Sequence, residues 1–192
     1  MNGGPPAALP PAALPPDTLP VWMPPAGWQA IDFISDLHLA ADHPLTVQAC
    51  VRYLGATRAD VVILLGDVFE AWVGDDSRGL PFEAGLAQAI AASARRRTLA
   101  FMAGNRDFLV GPEMLAACGL TGLADPCILQ AAGRAWVLAH GDAQCLSDQR
   151  YQAFRALVRS APWQQAFLAR PLADRIEQAR AMRRESMRLQ QG

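Results

Sequence analysis

Four short apolar runs, each followed at once by a polar motif, constrain the fold of this chain more than any other feature. The runs cover residues 30–35, 61–65, 99–103 and 135–139, a length typical of strands. The motifs that follow them are Asp36-Leu37-His38, Gly66-Asp67, Gly104-Asn105-Arg106-Asp107 and His140-Gly141-Asp142. Since helical patterns separate the first three runs, we predict a mixed α/β sheet. In an open α/β sheet, ligands bind at the carboxyl ends of the strands, where these motifs would lie.

The side chains of these motifs are suited to hold metal ions. Asp36, Asp67 and Asn105 offer oxygen, and His38 and His140 offer imidazole nitrogen. This mixture suits Mn²⁺, Fe, Zn²⁺ or Mg²⁺ better than copper. Two such ions about 3.5–4 Å apart can hold both the attacking and the leaving oxygen of a phosphoryl displacement. From the order of the strand ends, we predict that Asp67 bridges two ions. The other predicted ligands are, for the first ion, Asp36 and His38, and, for the second, Asn105 and His140.

Taken one at a time, these motifs also have ordinary structural explanations. An aspartate after an apolar run is commonly a helix N-cap or a turn residue, and Gly-Asn and Gly-Asp pairs are common turn signals. A single histidine such as His38 would usually lie at the surface or be satisfied within the core. The occurrence of all four motifs at successive strand ends favours a metal site over these explanations.

At these residues the chain resembles the calcineurin-like metallophosphoesterases. It is most similar to one branch, the UDP-2,3-diacylglucosamine diphosphatases of lipid A synthesis, over about residues 29–190. The Asp-x-His and Gly-Asp pieces mark only the superfamily. Residues 69–76, Phe-Glu-Ala-Trp-Val-Gly-Asp-Asp, and residues 104–108, Gly-Asn-Arg-Asp-Phe, are more specific. Residues 151–155, Tyr-Gln-Ala-Phe-Arg, continue the likeness.

The resemblance implies a fold, a reaction and a set of ligands. The fold would be an α/β/β/α metallophosphoesterase sandwich with a helical cap. The reaction would be the metal-dependent hydrolysis of the pyrophosphate bond of UDP-2,3-diacylglucosamine, which yields UMP and 2,3-diacylglucosamine 1-phosphate. Two Mn²⁺ ions per site would serve it, with other divalent ions as alternatives. Asp67, Asn105 and Arg106 would be the catalytic residues, and Asp148 and Ser186 would contact the glucosamine.

Position 106 departs from the superfamily pattern in a way that bears on the substrate. Many members have histidine after Gly-Asn, where it can protonate an alkoxide leaving group, and this chain has Arg106. Arginine cannot act as an acid near neutral pH, but its guanidinium binds phosphate oxygens bidentately. A phosphate leaving group has a second pKa of about 6 and needs little protonation. We therefore predict that Asn105 and Arg106 contact a diphosphate; a surface arginine in a turn is the alternative.

The resemblance also implies a Gly-His-x-His motif near the C-terminus, and this sequence does not contain it. The three histidines are His38, His43 and His140, and the sequence ends at Gly192. We therefore expect a C-terminally truncated fold, either a fragment or a truncated gene product, that binds metal weakly and does not turn over substrate. Two other functions stay open. One is another metallophosphoesterase, such as a nucleotide pyrophosphatase or phosphodiesterase, and the other is an inactive truncated domain.

The composition of the chain limits which binding partners and which cellular compartment are expected. The net charge of −1 gives no electrostatic reason to expect nucleic acid. The four cysteines form no C-x-x-C pair, and reduced thiols in the cytoplasm are the simpler interpretation. No run of about 18 apolar residues occurs in the sequence. Residues 1–27 contain nine prolines and are predicted to form a disordered arm, which leaves residues 28–192 as one incomplete domain.

Helical and hairpin patterns fill the chain between and beyond the motifs. Helices are predicted over residues 44–57, 81–96 and 112–118, a hairpin over 127–130 and 134–139, and a helical cap over about 148–192. The apolar faces of this cap would hold acyl chains, and its arginines would lie at an anionic membrane surface. The protein would then be cytoplasmic and peripherally associated with the inner membrane. An ordinary packed helix pair is the alternative.

Overall fold

The computed structural model describes residues 19–190, except for the side chains of residues 185–187, 189 and 190; residues 1–18 and 191–192 lie outside it. The strands of the described part are β1 (Val21–Trp22), β2 (Ile31–Ile34), β3 (Val61–Leu65), β4 (Thr98–Met102), β5 (Leu120–Leu123), β6 (Cys127–Ala131) and β7 (Arg134–Leu138). Its α-helices are α1 (Pro44–Ala56), α2 (Pro81–Ala94), α3 (Pro112–Cys118), α4 (Gln149–Val158), α5 (Ala161–Leu168) and α6 (Leu172–Gln190).

The larger sheet has the strand order β2-β3-β4-β5, and all of its strand pairs are parallel. Because both faces of the two central strands are covered, β3 and β4 are apolar nearly throughout instead of alternating with polar residues. Val62 and Leu64 pack in the cluster shared with α1 to α3, whereas Val61 and Ile63 pack against the second sheet. The parallel order brings the carboxyl ends of β2, β3 and β4 to one edge, as the sequence predicted.

The smaller sheet has the strand order β1-β6-β7. Strands β6 and β7 form the predicted hairpin, with Ala132 and Gly133 of its turn at φ values of 50° and 70°. Strand β1 was not predicted, and it falls within residues 1–27, for which a disordered arm was expected. It pairs in parallel with β6, and Trp22 packs against the cluster between the two sheets. Burial of this aromatic ring stabilises a strand that is too short to produce a periodic pattern.

Three helices begin at the predicted residue because proline suits the first helical turn. Pro44, Pro81 and Pro112 begin α1, α2 and α3. Gly119 caps the C-terminal end of α3 and adopts the left-handed conformation with φ of 65°. Strand β5 follows at once and was not predicted, since its sequence Leu-Thr-Gly-Leu contains a glycine and only two strongly apolar positions.

Helices α4 to α6, called the cap below, form where a helical region was predicted. They pack on the loops that follow β3 and β4. Trp163 and Phe167 of α5 stack with ring centroids 4.8 Å apart, and both lie against the helical-side core together with Leu172 and Ile176 of α6. Within the described residues, no helix is both long enough and apolar enough to cross a membrane.

Three layers of the expected sandwich are built by residues 19–190: the helices α1 to α3, the larger sheet and the smaller sheet. The smaller sheet keeps apolar side chains in contact with solvent. Val21, Trp136 and Val137 are 54%, 50% and 66% exposed. The described residues therefore do not supply the fourth, helical layer that would cover this sheet.

Candidate metal centre

The loops after β2 and β3 run side by side and turn their polar side chains toward one point. The backbone N–H of Asp36 donates to Gly66 O (3.1 Å), and that of His38 donates to Asp67 O (3.0 Å). Asp36, His38 and Asp67 have positive φ values of 55°, 47° and 53°. This conformation is unfavourable for residues with a Cβ, and it persists where surrounding contacts hold it. Backbone strain is therefore concentrated at three predicted ligands.

Asp67 lies at the centre of the predicted ligand set. Its Oδ1 lies 3.6 Å from His140 Nε2, and its Oδ2 lies 3.7 Å from His38 Nε2. One ligand atom from each of Asp36, Asp67 and His140 lies within 4.8 Å of the others. Asn105 Oδ1 lies 3.1 Å from the same His140 Nε2. The structure thus brings all five predicted ligands together, with Asp67 between the two histidines.

His140 is oriented by a contact of its other ring nitrogen. Its Nδ1 lies 2.9 Å from the carbonyl oxygen of Leu65, which can only accept a hydrogen bond. The proton therefore resides on Nδ1, and Nε2 presents its lone pair toward Asp67 and Asn105. The backbone N–H of His140 donates to Asp125 Oδ1 (3.0 Å) and holds the loop after β7. Metal-ligating histidines are typically fixed through their second nitrogen in this manner.

The donor chemistry of this group fits a divalent cation. With the proton on Nδ1, His140 Nε2 and Asn105 Oδ1 are two acceptors that face each other at 3.1 Å. This contact is unfavourable by itself, and a cation coordinated by both atoms would reverse it. The carboxylates of Asp36 and Asp67 add negative charge at the same place. The group can therefore hold a divalent metal ion of the kind that binds oxygen and imidazole ligands.

Two glycines allow the ligand loops to approach this closely. A Cβ on Gly66 would lie 2.5 Å from His140 Nδ1 and 2.7 Å from the Cα of Gly104. A Cβ on Gly104 would lie 2.2 Å from Asp67 Oδ1. None of these three distances is compatible with a side chain, so glycine at both positions is a condition for the packing of the centre.

Asp107 was not predicted as a site residue, yet it ties the loops after β3 and β4 together. Its side chain is fully buried and accepts hydrogen bonds from the backbone N–H groups of Gly104 (2.7 Å) and Val68 (2.8 Å). Burial raises the pKa of Asp107 to about 6, and the charge of Asp67 acts in the same direction against these hydrogen bonds. Its only signal in the sequence was its place at the end of Gly-Asn-Arg-Asp.

Asp142, at the end of the His-Gly-Asp motif, attaches α4 to the centre. Its buried Oδ2 accepts hydrogen bonds from Tyr151 Oη (2.7 Å) and Arg155 Nε (2.8 Å). Arg159 of the same helix donates to Gly104 O (3.0 Å). Burial acts to raise the pKa of Asp142, but the hydrogen bonds from Arg155 and Tyr151 outweigh it and hold the pKa below its usual value. The cap is therefore joined to the loops after β4 and β7.

The stretch of residues 69–76 anchors the cap. Trp72 Nε1 donates to Asp75 Oδ1 (3.1 Å). Arg175 of α6 is buried and donates to the carboxylate of Asp76 and to Val73 O. Nothing in the sequence distinguished Arg175 from the other arginines of the cap, because its partners lie about a hundred residues earlier in the chain.

The predicted contacts with the glucosamine are Asp148 and Ser186, and Asp148 lies outside the ligand group. Asp148 is the N-cap of α4, where its Oδ1 accepts a hydrogen bond from Tyr151 N (2.9 Å), and it also lines the cavity described next. The side chain of Ser186 lies outside the described residues.

A cavity of about 1200 Å³ lies between the cap and the core. Asn105 and Arg106 line it, so the cavity adjoins the ligand group directly. Large apolar side chains of both the core and the cap line its walls, among them Phe82, Phe108, Leu109, Trp163, Ile176 and Met182. The cavity thus combines a polar end beside the ligands with an apolar body.

No protein-family model matches the chain. The UDP-2,3-diacylglucosamine hydrolase of Chromobacterium violaceum is 47% identical to it over 159 residues, which cover 82% of this chain and 67% of that relative. The chain belongs to the UDP-2,3-diacylglucosamine hydrolase family. Family members from Chromohalobacter salexigens and Aromatoleum aromaticum are 43% and 42% identical over 80% of this chain. The chain covers 63% and 64% of those two proteins, so it spans about two thirds of the length of these family members.

The solved structures that align with this chain are less similar to it in sequence than these relatives are. The nuclease MPE of Pseudomonas putida aligns with a TM-score of 0.39 and 18% identity over 51% of this chain and 49% of that one. The protein of unknown function AQ665 from Aquifex aeolicus aligns with a TM-score of 0.41 and 16% identity over 67% of this chain and 70% of that one.

Proposed function

We propose that this chain carries the site for metal-dependent hydrolysis of the pyrophosphate bond of UDP-2,3-diacylglucosamine, with UMP and 2,3-diacylglucosamine 1-phosphate as products. The observation that carries the proposal is the direct junction between the ligand group around Asp67 and a large cavity with apolar walls. A phosphodiesterase for a hydrophilic nucleotide would gain nothing from such walls. The names of the curated relatives support the same substrate.

The proposed cofactor is Mn²⁺, with two ions per site. The residues that would hold them are Asp36, His38, Asp67, Asn105 and His140. When bound, the ions would supply Lewis acidity toward the phosphoryl oxygens and a water-derived nucleophile at neutral pH. The chain contributes the placement of these ligands by strained, mutually bonded loops, together with a cavity with apolar walls for the rest of the substrate.

Arg106 is the residue that we assign to the diphosphate. Its backbone N–H donates to Asp67 Oδ1 (2.8 Å), which places it at the rim of the ligand group. Its Nε is buried and has no hydrogen-bond partner among the described residues. An unsatisfied buried donor is destabilising, and a phosphate oxygen of the substrate would satisfy it. Arg106 would orient the diphosphate and stabilise the charge that develops on the departing phosphate.

The function is tested by following UMP release from UDP-2,3-diacylglucosamine and from the same UDP-sugar without acyl chains, in the presence of Mn²⁺. The assay is run on the 192-residue chain and on a version extended by the Gly-His-x-His segment of a family member, called the extended version below. We expect the extended version to release UMP from the diacylated substrate only, and the 192-residue chain to release none.

Each alternative function has its own outcome in this assay. Equal release from both substrates would support a nucleotide pyrophosphatase, and metal binding without release by the extended version would support a non-catalytic domain. Turnover by the 192-residue chain at a rate typical of enzymes, ~1 s⁻¹ or more, would show that the Gly-His-x-His motif is dispensable.

Replacing Arg106 with Lys in the extended version is expected to lower kcat/KM by about tenfold or more. Lysine keeps the charge but lacks the planar fork, and a hydrogen bond to a charged group contributes ~1.5–3 kcal/mol. Arg134→Lys, at an exposed position in β7, is the matched control. If Arg106→Lys retains full activity, the bidentate clamp is wrong.

We assign the membrane-contacting surface to the outer side of the cap. Leu157 and Leu168 are 56% and 42% exposed there, and Arg170 is exposed as well. Helices of this composition bind anionic interfaces, which fits a cytoplasmic protein attached peripherally to the inner membrane.

We expect Leu157→Asp to reduce cosedimentation with anionic vesicles severalfold. Leu45→Asp, at a leucine that is 77% exposed in α1, is the control, and equal binding by both variants would contradict this assignment.

A further inference from the structure

Glu70 lies between a predicted metal ligand and the cap. Its Oε2 is 3.3 Å from Nδ1 of His38, and its Oε1 forms an ion pair with Arg183 Nε at 2.9 Å. The Glu70 side chain is only 12% exposed, whereas those of His38 and Arg183 are about one third exposed. One carboxylate is therefore shared by a residue of the ligand loop and a residue of α6.

The backbone places this carboxylate beside His38. The N–H of Glu70 donates to Leu39 O (3.1 Å), and Leu39 N donates to Val68 O (2.9 Å). These bonds join the segment after β2 to the segment after β3, so the backbone of Glu70 is held beside that of His38. The other ring nitrogen of His38, Nε2, points to Asp67 Oδ2 at 3.7 Å.

We propose that Glu70 is a positioning residue for His38. Its carboxylate accepts the Nδ1 proton, which leaves the Nε2 lone pair free for the first metal ion, and Arg183 holds the carboxylate in place from the cap. The affinity of the first ion then depends on the docking of α6. The proposal rests on the proposed function in one respect, since it takes His38 as a metal ligand.

A neutral imidazole can present either nitrogen, and the hydrogen bond made by one nitrogen decides which of them carries the proton. Carboxylates commonly fill this role, and their removal typically lowers metal affinity 10–100-fold. Here Nδ1 of His38 is buried and has no hydrogen-bond partner among the described residues, and Glu70 Oε2, 3.3 Å away, is the acceptor within reach.

The first experiment measures the tautomer of His38 without metal or substrate. The chain has only three histidines, so ¹⁵N spectra of the imidazoles can be assigned with His43→Gln and His140→Gln variants. Spectra are recorded above the titration midpoint of each ring. We expect the Nδ1–H tautomer of His38 in the unaltered chain, its loss in Glu70→Ala and its retention in Glu70→Gln, because the amide oxygen can still accept the proton. Glu177→Ala, at an exposed position on α6, is the control.

The second experiment measures Mn²⁺ affinity by electron paramagnetic resonance in the same chains. We expect the Kd to rise about tenfold in Glu70→Ala and by less in Glu70→Gln. Arg183→Gln should also raise the Kd, whereas Arg184→Gln, the exposed neighbour on α6, should not. Circular dichroism establishes that each variant folds, and Glu70→Gln carries the test if Glu70→Ala does not.

The outcomes separate this inference from the proposed function. An Nε2–H tautomer of His38 in the unaltered chain, or the Nδ1–H tautomer persisting in Glu70→Ala, would overturn the positioning role whatever the substrate is. An Mn²⁺ affinity unchanged by Arg183→Gln would overturn the link to the cap. Failure of the extended version to hydrolyse the lipid substrate would instead overturn the proposed function and would leave the tautomer result intact.

Discussion

Replacing Asp67 with Ala is expected to abolish UMP release by the extended version and to remove most of its bound Mn²⁺. The Asp67 carboxylate faces both histidines of the centre, with its two oxygens 3.6 Å and 3.7 Å from their Nε2 atoms. Loss of the carboxylate would remove the predicted bridge and would leave His38 and His140 without a common partner. Turnover and metal content per chain measure the two effects.

Two further variants sharpen this prediction. Asp67→Asn keeps an acceptor for the backbone N–H of Arg106 but loses the charge, so it separates the loss of charge from the loss of loop packing. Asp174→Ala removes an exposed carboxylate from the first turn of α6 and is expected to have no effect. Near-normal turnover by Asp67→Ala would show that the ligand assignment is wrong.

Replacing Gly104 with Ala should be nearly as damaging, although it adds only a methyl group. The new Cβ would lie 2.2 Å from Asp67 Oδ1 and 2.4 Å from Asp67 N. Asp67 cannot yield easily, because its positive φ is held by the backbone bonds between the loops. We expect loss of most Mn²⁺ binding together with a decrease of about 1–3 kcal/mol in the free energy of unfolding, the usual range for overpacking.

The matched control is another glycine. Gly55 lies inside α1 with no atom within 4 Å of an added Cβ. Gly55→Ala should therefore leave Mn²⁺ binding unchanged and stabilise the helix by roughly 0.5–1 kcal/mol. Urea denaturation and Mn²⁺ titration are run on both variants. If Gly104→Ala binds Mn²⁺ as well as Gly55→Ala does, the close approach of the two loops is not required for the centre.

The elements that were predicted correctly owe their structure to local sequence signals. Strands β3 and β4 are apolar because they are buried on both faces, and α1 to α3 begin at prolines that suit a first helical turn. The elements that were missed depend on distant partners. Strand β1 has two residues and exists because it pairs with β6, a hundred residues later in the chain.

The sequence by itself determined the order of β2, β3, β4 and the β6–β7 hairpin with α1 to α3, and the placement of polar motifs at strand ends, because both follow from short-range periodicity. Only the tertiary structure decided how the centre is supported. Asp107 bonds the backbone of two loops, Arg175 holds α6 to Asp76, and Glu70 faces His38 and Arg183 together. Some of these partners lie 32 to 113 residues apart in the chain. Others are backbone N–H groups, which every residue except proline has, so the sequence does not show which of them a side chain contacts. Contacts of this kind depend on packing, so they become visible only when the strands and the cap are in place.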